Sequence, residues 1–241
     1  MITSYGTMVF APFSDYRLAF PTTFIIDWYF SGIIVLGLIA SYSSKQHKRQ
    51  FALAGFGMLL CYILAQAWWQ RMARQEVYAS IPHKILQEAR IHVLPQPVSP
   101  FNWKLVVATP DRYYVRYLNL YRKSAIQAQA TDSFIRRVDA LYLPITDINW
   151  EVIPRFGIGP GQAMAHRIWQ EPAMADIRHF MELPAVQRVD YLPEYNCVWF
   201  SDQRFVLRGL RAPFIFGGCE SKDGKHRKIL RLVDDKPAPL K

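Results

Sequence analysis

The sequence predicts an α+β protein: an N-terminal transmembrane helical hairpin followed by an α+β domain with an antiparallel sheet. Three observations point to it. Two long apolar runs lie close together, the charge density rises after residue 76, and a series of β-rich runs separated by turn residues follows. The chain has 241 residues, of which 51% are hydrophobic, 15% aromatic and 20% charged. Such a composition buries enough apolar surface to overcome chain entropy, which excludes disorder over most of the length. The 12 Gly and 16 Pro follow no period, so a collagen-like or coiled-coil chain is excluded too. Residues 1–76 carry six basic and three acidic residues, against 23 and 16 in residues 77–241. That split implies two solvents: a membrane region, 1–76, and an extramembrane α+β domain, 77–241.

The first apolar run, FIIDWYFSGIIVLGLIASY, covers residues 24–42 with Asp27 as its one ionisable acid or base. The second, FALAGFGMLLCYILAQAWW, covers residues 51–69 and carries no charge. A helix needs about 20 such residues to cross about 30 Å of hydrocarbon. Trp28 and Tyr29 near one end, and Trp68 and Trp69 at the other, suit the headgroup layer. Between the runs lies the polar turn SSKQHKRQ, so a multi-pass hairpin is expected, with the lipid bilayer as its partner. The turn carries Lys45, Lys48 and Arg49, and Arg17, Arg71 and Arg74 flank the other ends in equal number. The denser cluster is the turn, which puts it in the cytoplasm and the C-terminal part outside.

Beyond the membrane region, Val77, Ile81, Ile85, Leu86 and Ala89 continue a helical pattern from Arg71 to about Leu94, with a kink allowed at Pro82. Residues 104–108 and 113–121 read as strands joined by the turn TPDR. Further strands are expected at 196–200, 205–208, 214–217 and 229–233, and short helices at 159–169 and 173–183. The tail DDKPAPLK is expected to fray. Cys61 reads as a buried small hydrophobe, whereas Cys197 and Cys219 are placed to pair if their part of the chain faces an oxidising compartment.

Candidate chemistry in this part is sparse. His83, His92, His166, His179 and His226 show no HxxxH or HExxH spacing, and no CxxC is present, so zinc motifs are absent from the sequence. Asp176, His179 and Glu182 step by three along an expected helix and read as a solvated face. Glycines in RFGIGPGQ, residues 155–162, read as a turn, because no Lys followed by Ser or Thr completes a phosphate loop. Asp202 and Arg204 are expected to pair on one face of a strand. The net charge of +10 is dispersed over the chain without a nucleic-acid-binding fold, so anionic headgroups rather than nucleic acid are its expected counterpart.

The stretches TSYGT at residues 3–7, APFSDYR at 11–17 and FIID at 24–27 resemble the bacterial membrane-bound metal-dependent hydrolase family, which includes a LexA-regulated inner-membrane hydrolase. SPFNWKLVV at 99–107, RYYVRYLNL after it, and WFSDQRF at 199–205 extend the resemblance, with gaps, to about Gly218. The resemblance implies a location in the bacterial inner membrane and a divalent metal ion, zinc or manganese. It also implies that Asp27 is a catalytic residue, as metal ligand or general base. Thr3 and Tyr5 (with Ser4 between them) would line a small-molecule or lipid substrate, with Asp15 and Arg17 beside it. Members of the family carry upstream an Asp-x-Asp, a His-Arg-Gly-x-Thr-His and a His-x-x-x-Asp motif, none of which occurs here. The expectation is therefore an N-terminally shortened member, inactive alone. The alternative is a non-catalytic membrane-anchored interaction or lipid-surface module.

Physics of the residues singles out Asp27 independently. A carboxylate at the margin of a spanning helix costs about 3 kcal/mol on insertion scales, so it needs a partner or a polar cavity.

Overall fold

Asp27 sets the first helix boundary in the computed structural model, which describes residues 24, 27–44, 46–224 and 226–239. Its backbone is extended, and its Oδ1 accepts from the amides of Tyr29 and Phe30, so the helix α1 (Trp28–Ser43) begins at a capped N-terminus. After a short turn, α2 (Lys48–Ser80) runs for 33 residues. It is the one helix among the described residues that is long and apolar enough to cross a membrane. The helix α1 is apolar but has 16 residues, about 24 Å at 1.5 Å per residue.

The two helices pack side by side where Gly37 faces Gly55. A Cβ added at Gly55 would stand 3.2 Å from the Gly37 Cα. Away from that contact both helices expose large apolar side chains: Leu36 is 68% exposed, Phe56 67% and Trp68 63%. Cys61 is exposed as well, which corrects the expectation of a buried thiol. The reason is positional, since the apolar run around it covers the whole circumference of α2 while only one stripe meets α1.

The expected helix from Arg71 to Leu94 stops early. Pro82 has no amide to donate and disfavours helical geometry at Ile81, which is extended at φ −103° and ψ 132°. A single turn, α3 (His83–Leu86), follows, and then the chain turns into the strand β1 (Arg90–Pro95).

By its contacts the chain divides into two units: residues 1–107 with 115–150, and residues 108–114 with 151–241. In the first unit α2 reaches β1, and its last turns bury Ala73 and Val77. The strands β2 (Asn102–Ala108) and β3 (Arg112–Asn119) form the expected hairpin, closed by the Thr109 amide on the Arg112 carbonyl at 3.0 Å. A short strand β4 (Leu143–Pro144) pairs parallel to β3, after the helix α4 (Phe134–Asp139), so the sheet order is β1-β2-β3-β4. The strand β5 (Glu151–Pro154) also pairs with β3, whose first residues, 112–114, share its unit. The core of the first unit contains Trp103, Leu105, Val107, Leu118 and Tyr142.

The second unit is an antiparallel meander. Its strands β6 (Pro184–Tyr191), β7 (Tyr195–Asp202), β8 (Ile215–Ser221), β9 (Arg227–Val233) and β10 (Lys236–Pro239) lie in sequence order. Side chains of β7 alternate: Val198 and Phe200 pack against the helix α5 (Gly161–Gln170) through Met164, Ile168 and Trp169, and Cys197 and Trp199 pack on the other face with Ile215 and Leu232. A 3-10 turn (Pro172–Met174) leads into α6 (Ala175–Phe180) on the same side as α5. Gly217 is required where β8 pairs with β7, because a Cβ there would fall 1.9 Å from the Val198 carbonyl oxygen.

Two expectations differ here. Residues 205–208 form a turn instead of a strand, and the tail expected to fray contributes β10. The mixed helix and sheet class with antiparallel pairing stands, distributed over two sheets instead of one.

Candidate functional site

Within the first unit a chain of polar side chains links the start of α1 to α2. Tyr62, on α2, donates its hydroxyl to Asp27 Oδ2 at 2.7 Å, and Gln66 Nε2, one turn further along, donates to the Tyr62 hydroxyl at 2.6 Å. Residues 62 and 66 share a helix face by their spacing of four, so Gln66 reaches the hydroxyl that Tyr62 gives to Asp27. Gln66 is 2% exposed, and its Oε1 has no hydrogen-bond partner.

Asp27 and Gln66 border a small cavity of about 10 Å³, with the loop PQPVSP, residues 95–100, on its other side. Within that loop Val98 has φ 77°, a conformation unfavourable for a β-branched residue and held only by its surroundings. Gln96 is fixed from both ends: its Oε1 accepts from the Tyr142 hydroxyl at 3.1 Å and its Nε2 donates to the Pro95 carbonyl at 2.9 Å. Burial, followed by Tyr117 and Asp139, pushes the Tyr142 hydroxyl well above its ordinary value, so it stays a donor at any physiological pH.

The loop is anchored in turn by Asn102, whose Nδ2 donates to the Pro97 carbonyl and to Asp139 Oδ1. Arg122 holds Asp139 Oδ2 at 2.7 Å, and Asn119 donates to Asn102 Oδ1 at 2.6 Å. Aromatic rings seal the adjoining stretch: Trp69 meets Phe101 edge-on with centroids 4.6 Å apart and donates its indole N–H to the Tyr121 hydroxyl.

Asp27, the residue expected to be catalytic and to ligate metal, is thus heavily engaged. Oδ1 takes two backbone amides and Oδ2 takes the Tyr62 hydroxyl. Among the described residues no group of three His, Cys, Asp or Glu side chains converges. A divalent cation such as zinc or manganese needs several converging ligands, so the described residues do not fit one. Thr3, Tyr5, Asp15 and Arg17, expected beside the substrate, lie outside the described residues.

The remaining candidates resolve into structure. Asp176 and His179 lie on α6, while Glu182 lies past its end and pairs with Arg204 at 3.0 Å. Asp202 and Arg204 do pair, at 2.7 Å, yet Arg204 sits just beyond the end of β7, where its guanidinium also caps the Phe180 carbonyl. Residues 155–162 are the expected turn, with Gly157 and Gly159 at positive φ before α5.

Sequence reasoning missed Tyr62, Gln66 and Gln96. A tyrosine and a glutamine at i and i+4 inside an otherwise apolar run were the available signal, since each costs free energy in hydrocarbon unless partnered.

The beginning of the chain, including Asp27 and Tyr62, is also the part that is similar to a described family. Residues 1–73 match the YdjM inner membrane protein family. YdjM is the LexA-regulated inner-membrane hydrolase family that the opening motifs resemble, and the similarity supports membrane association. The YdjM match ends within α2, before the β-rich parts. No curated protein and no solved structure matches the chain.

Proposed function

We propose that the chain is an inner-membrane protein in which α1 and α2 form a two-pass hairpin that anchors a non-catalytic interaction module to the bilayer. The observation that carries this reading is the continuity of α2. Its 33 residues extend about 50 Å at 1.5 Å per residue, more than a bilayer's hydrocarbon needs. The apolar part, with Phe56, Leu64 and Trp68 exposed, suits lipid, and the last turns bury Ala73 and Val77 within the first unit. One rigid helix therefore ties the bilayer to a folded sheet.

Asp27 serves this reading as a helix cap and a polar tie to Tyr62, which removes the need for a free carboxylate at the membrane margin. The disulfide between Cys197 and Cys219 supports a periplasmic side for the second unit, because such bonds persist in oxidising compartments.

Alkaline carbonate extraction of membranes from cells expressing the full chain tests the anchoring: retention in the pellet is expected, and release into the supernatant overturns it. The similarity to YdjM favours a second reading, a metal-dependent hydrolase. Hydrolysis of an ester by the purified chain that depends on added zinc or manganese would decide for it and against the non-catalytic module.

A further inference from the structure

Exposed apolar side chains in the first unit are not confined to α1 and α2. In α4 only Val138 is buried, and the adjacent Phe134 and Ile135 are 57% and 59% exposed. A neighbouring pair of this size, rimmed by charge, suits a contact surface better than open water.

Two sets of hydrogen bonds fix where that surface lies, and both run through Asp139, the last residue of α4. Its Oδ2 accepts from Arg122 at 2.7 Å, and the preceding residue, Tyr121, accepts the indole N–H of Trp69. Its Oδ1 accepts from Asn102, which also holds the Pro97 carbonyl in the loop beside Asp27 and Trp28. Trp69 closes the apolar run of α2, and Trp28 and Tyr29 open α1 at the same end of the helix pair, where Tyr62 bonds Asp27. On the membrane-anchored reading, on which this inference rests, those rings mark the headgroup layer and α4 is held at the rim of the bilayer.

Charge selects the lipid. Residues 121–139 carry four basic side chains, Arg122, Lys123, Arg136 and Arg137, against Asp132 and Asp139. Asp139 is taken by Arg122, and Asp132 offsets Arg136 at 3.4 Å. Lys123 and Arg137 are exposed and have no ion pair among the described residues. Positive charge in excess beside an apolar pair fits anionic headgroups: the cations meet phosphate while Phe134 and Ile135 enter the interface.

We propose that the exposed side of α4 docks on the anionic surface of the bilayer that α1 and α2 enter.

The test uses the full chain with Cys61→Ala in nanodiscs, carrying one environment-sensitive fluorophore at Ile135→Cys, Lys84→Cys or Phe56→Cys. Lys84 is exposed and lies beyond the end of α2, itself about 17 Å past Trp69 at 1.5 Å per residue, so it is the distant control. Phe56 is exposed in the apolar part of α2 and reports insertion. Discs of phosphatidylcholine, with or without phosphatidylglycerol, carry a nitroxide-labelled lipid as quencher. With phosphatidylglycerol, quenching at Ile135 about threefold stronger than at Lys84 is expected, falling in phosphatidylcholine alone and in Arg136→Gln with Arg137→Gln.

Quenching at Ile135 no stronger than at Lys84 overturns the proposal, and is the outcome if a second copy or another protein covers the patch. Quenching at Ile135 that ignores phosphatidylglycerol, or that survives loss of both arginines, also overturns it. If a labelled variant fails to fold, amide hydrogen exchange at residues 134–138 of the unaltered chain carries the test: slowing of about tenfold with phosphatidylglycerol is expected, and equal rates in the two discs overturn the docking. Quenching at Phe56 with none at Ile135 rejects the docking of α4 alone, whereas a silent Phe56 rejects the membrane anchoring with it.

Discussion

Tyr62 donates its hydroxyl to Asp27 Oδ2 at 2.7 Å across 35 residues of chain, fastening the middle of α2 to the first turn of α1. The same carboxylate caps α1, so one side chain sets both a helix boundary and a helix pairing. Tyr62→Phe removes the pairing bond and spares the cap, and is expected to cost about 1 kcal/mol. Asp27→Ala removes both and should cost about 2 kcal/mol through lost capping and the stranded hydroxyl. Combined, the two substitutions should cost less than their sum, since each single change already breaks the shared bond. Thermal unfolding of the purified variants in one detergent checks the cycle; strict additivity would show that the bond contributes nothing.

Contact between α1 and α2 depends on Gly37 and Gly55, whose backbones approach so closely that a Cβ at Gly37 would sit 3.3 Å from the Gly55 Cα. Gly55→Leu must push the helices apart and should cost about 2 kcal/mol or more. Gly57, two residues on, has nothing within 4 Å of an added Cβ. Gly57→Leu should leave stability unchanged or raise it by up to about 1 kcal/mol through better helix propensity. The pair of melting curves separates a packing requirement from a general intolerance of bulk.

Cys197 and Cys219 face each other across β7 and β8 and are bonded, with a sequence separation of 22. A loop of that size implies a contribution of about 3 kcal/mol from the constrained unfolded chain. Cys197→Ser with Cys219→Ser should lower the denaturation midpoint of the second unit accordingly, and dithiothreitol should bring the unaltered chain to the same point. Thiol labelling of the unreduced, unfolded chain should modify Cys61 alone. Labelling at three sites would place this part of the chain in a reducing compartment.

How far the sequence disclosed all this depends on whether the signal was local. The hairpin of β2 and β3, the helix α5 and the strands β7 to β9 were legible because period-2 and period-3.6 patterns and the TPDR turn are local properties. The strand β1 was lost to a helical spacing of Val77, Ile81, Ile85 and Leu86 that Pro82 interrupts, and β10 was lost because DDKPAPLK has polar, Pro-containing edge-strand composition, legible only once β9 offers it a partner. At the site, Asp27 stood out as a charge in an apolar run. Tyr62 and Gln66 carried only the weak signal of two polar groups at i and i+4 in an apolar run, and Gln96 acquires meaning only when the chain brings it near Asp27, which no periodicity announces.

Acid should weaken the second unit through Glu220. Burial works to raise this carboxyl, but hydrogen bonds and charge from Arg167 and then Arg227 outweigh it and hold Glu220 below the ordinary carboxylate range. Arg167 Nη2 lies 3.0 Å from Glu220 Oε1 and Arg227 Nε 3.2 Å from Oε2, so α5, β8 and β9 meet at this one side chain. A group whose folded value is depressed binds its proton more readily in the unfolded chain. Its stabilisation is therefore complete above the unfolded value, about 4.5, and is lost progressively as pH falls from there through the lower folded value. In Glu220→Gln the unfolding midpoint of the second unit should be lower at pH 7 and flatter between about pH 5 and pH 3 than in the unaltered chain. Denaturant melts at both pH values measure this, with near-ultraviolet circular dichroism reporting the Trp169 and Trp199 environments. An acid slope that Glu220→Gln leaves intact would move the titration to another carboxylate and leave the Arg167 and Arg227 contacts without a role in stability.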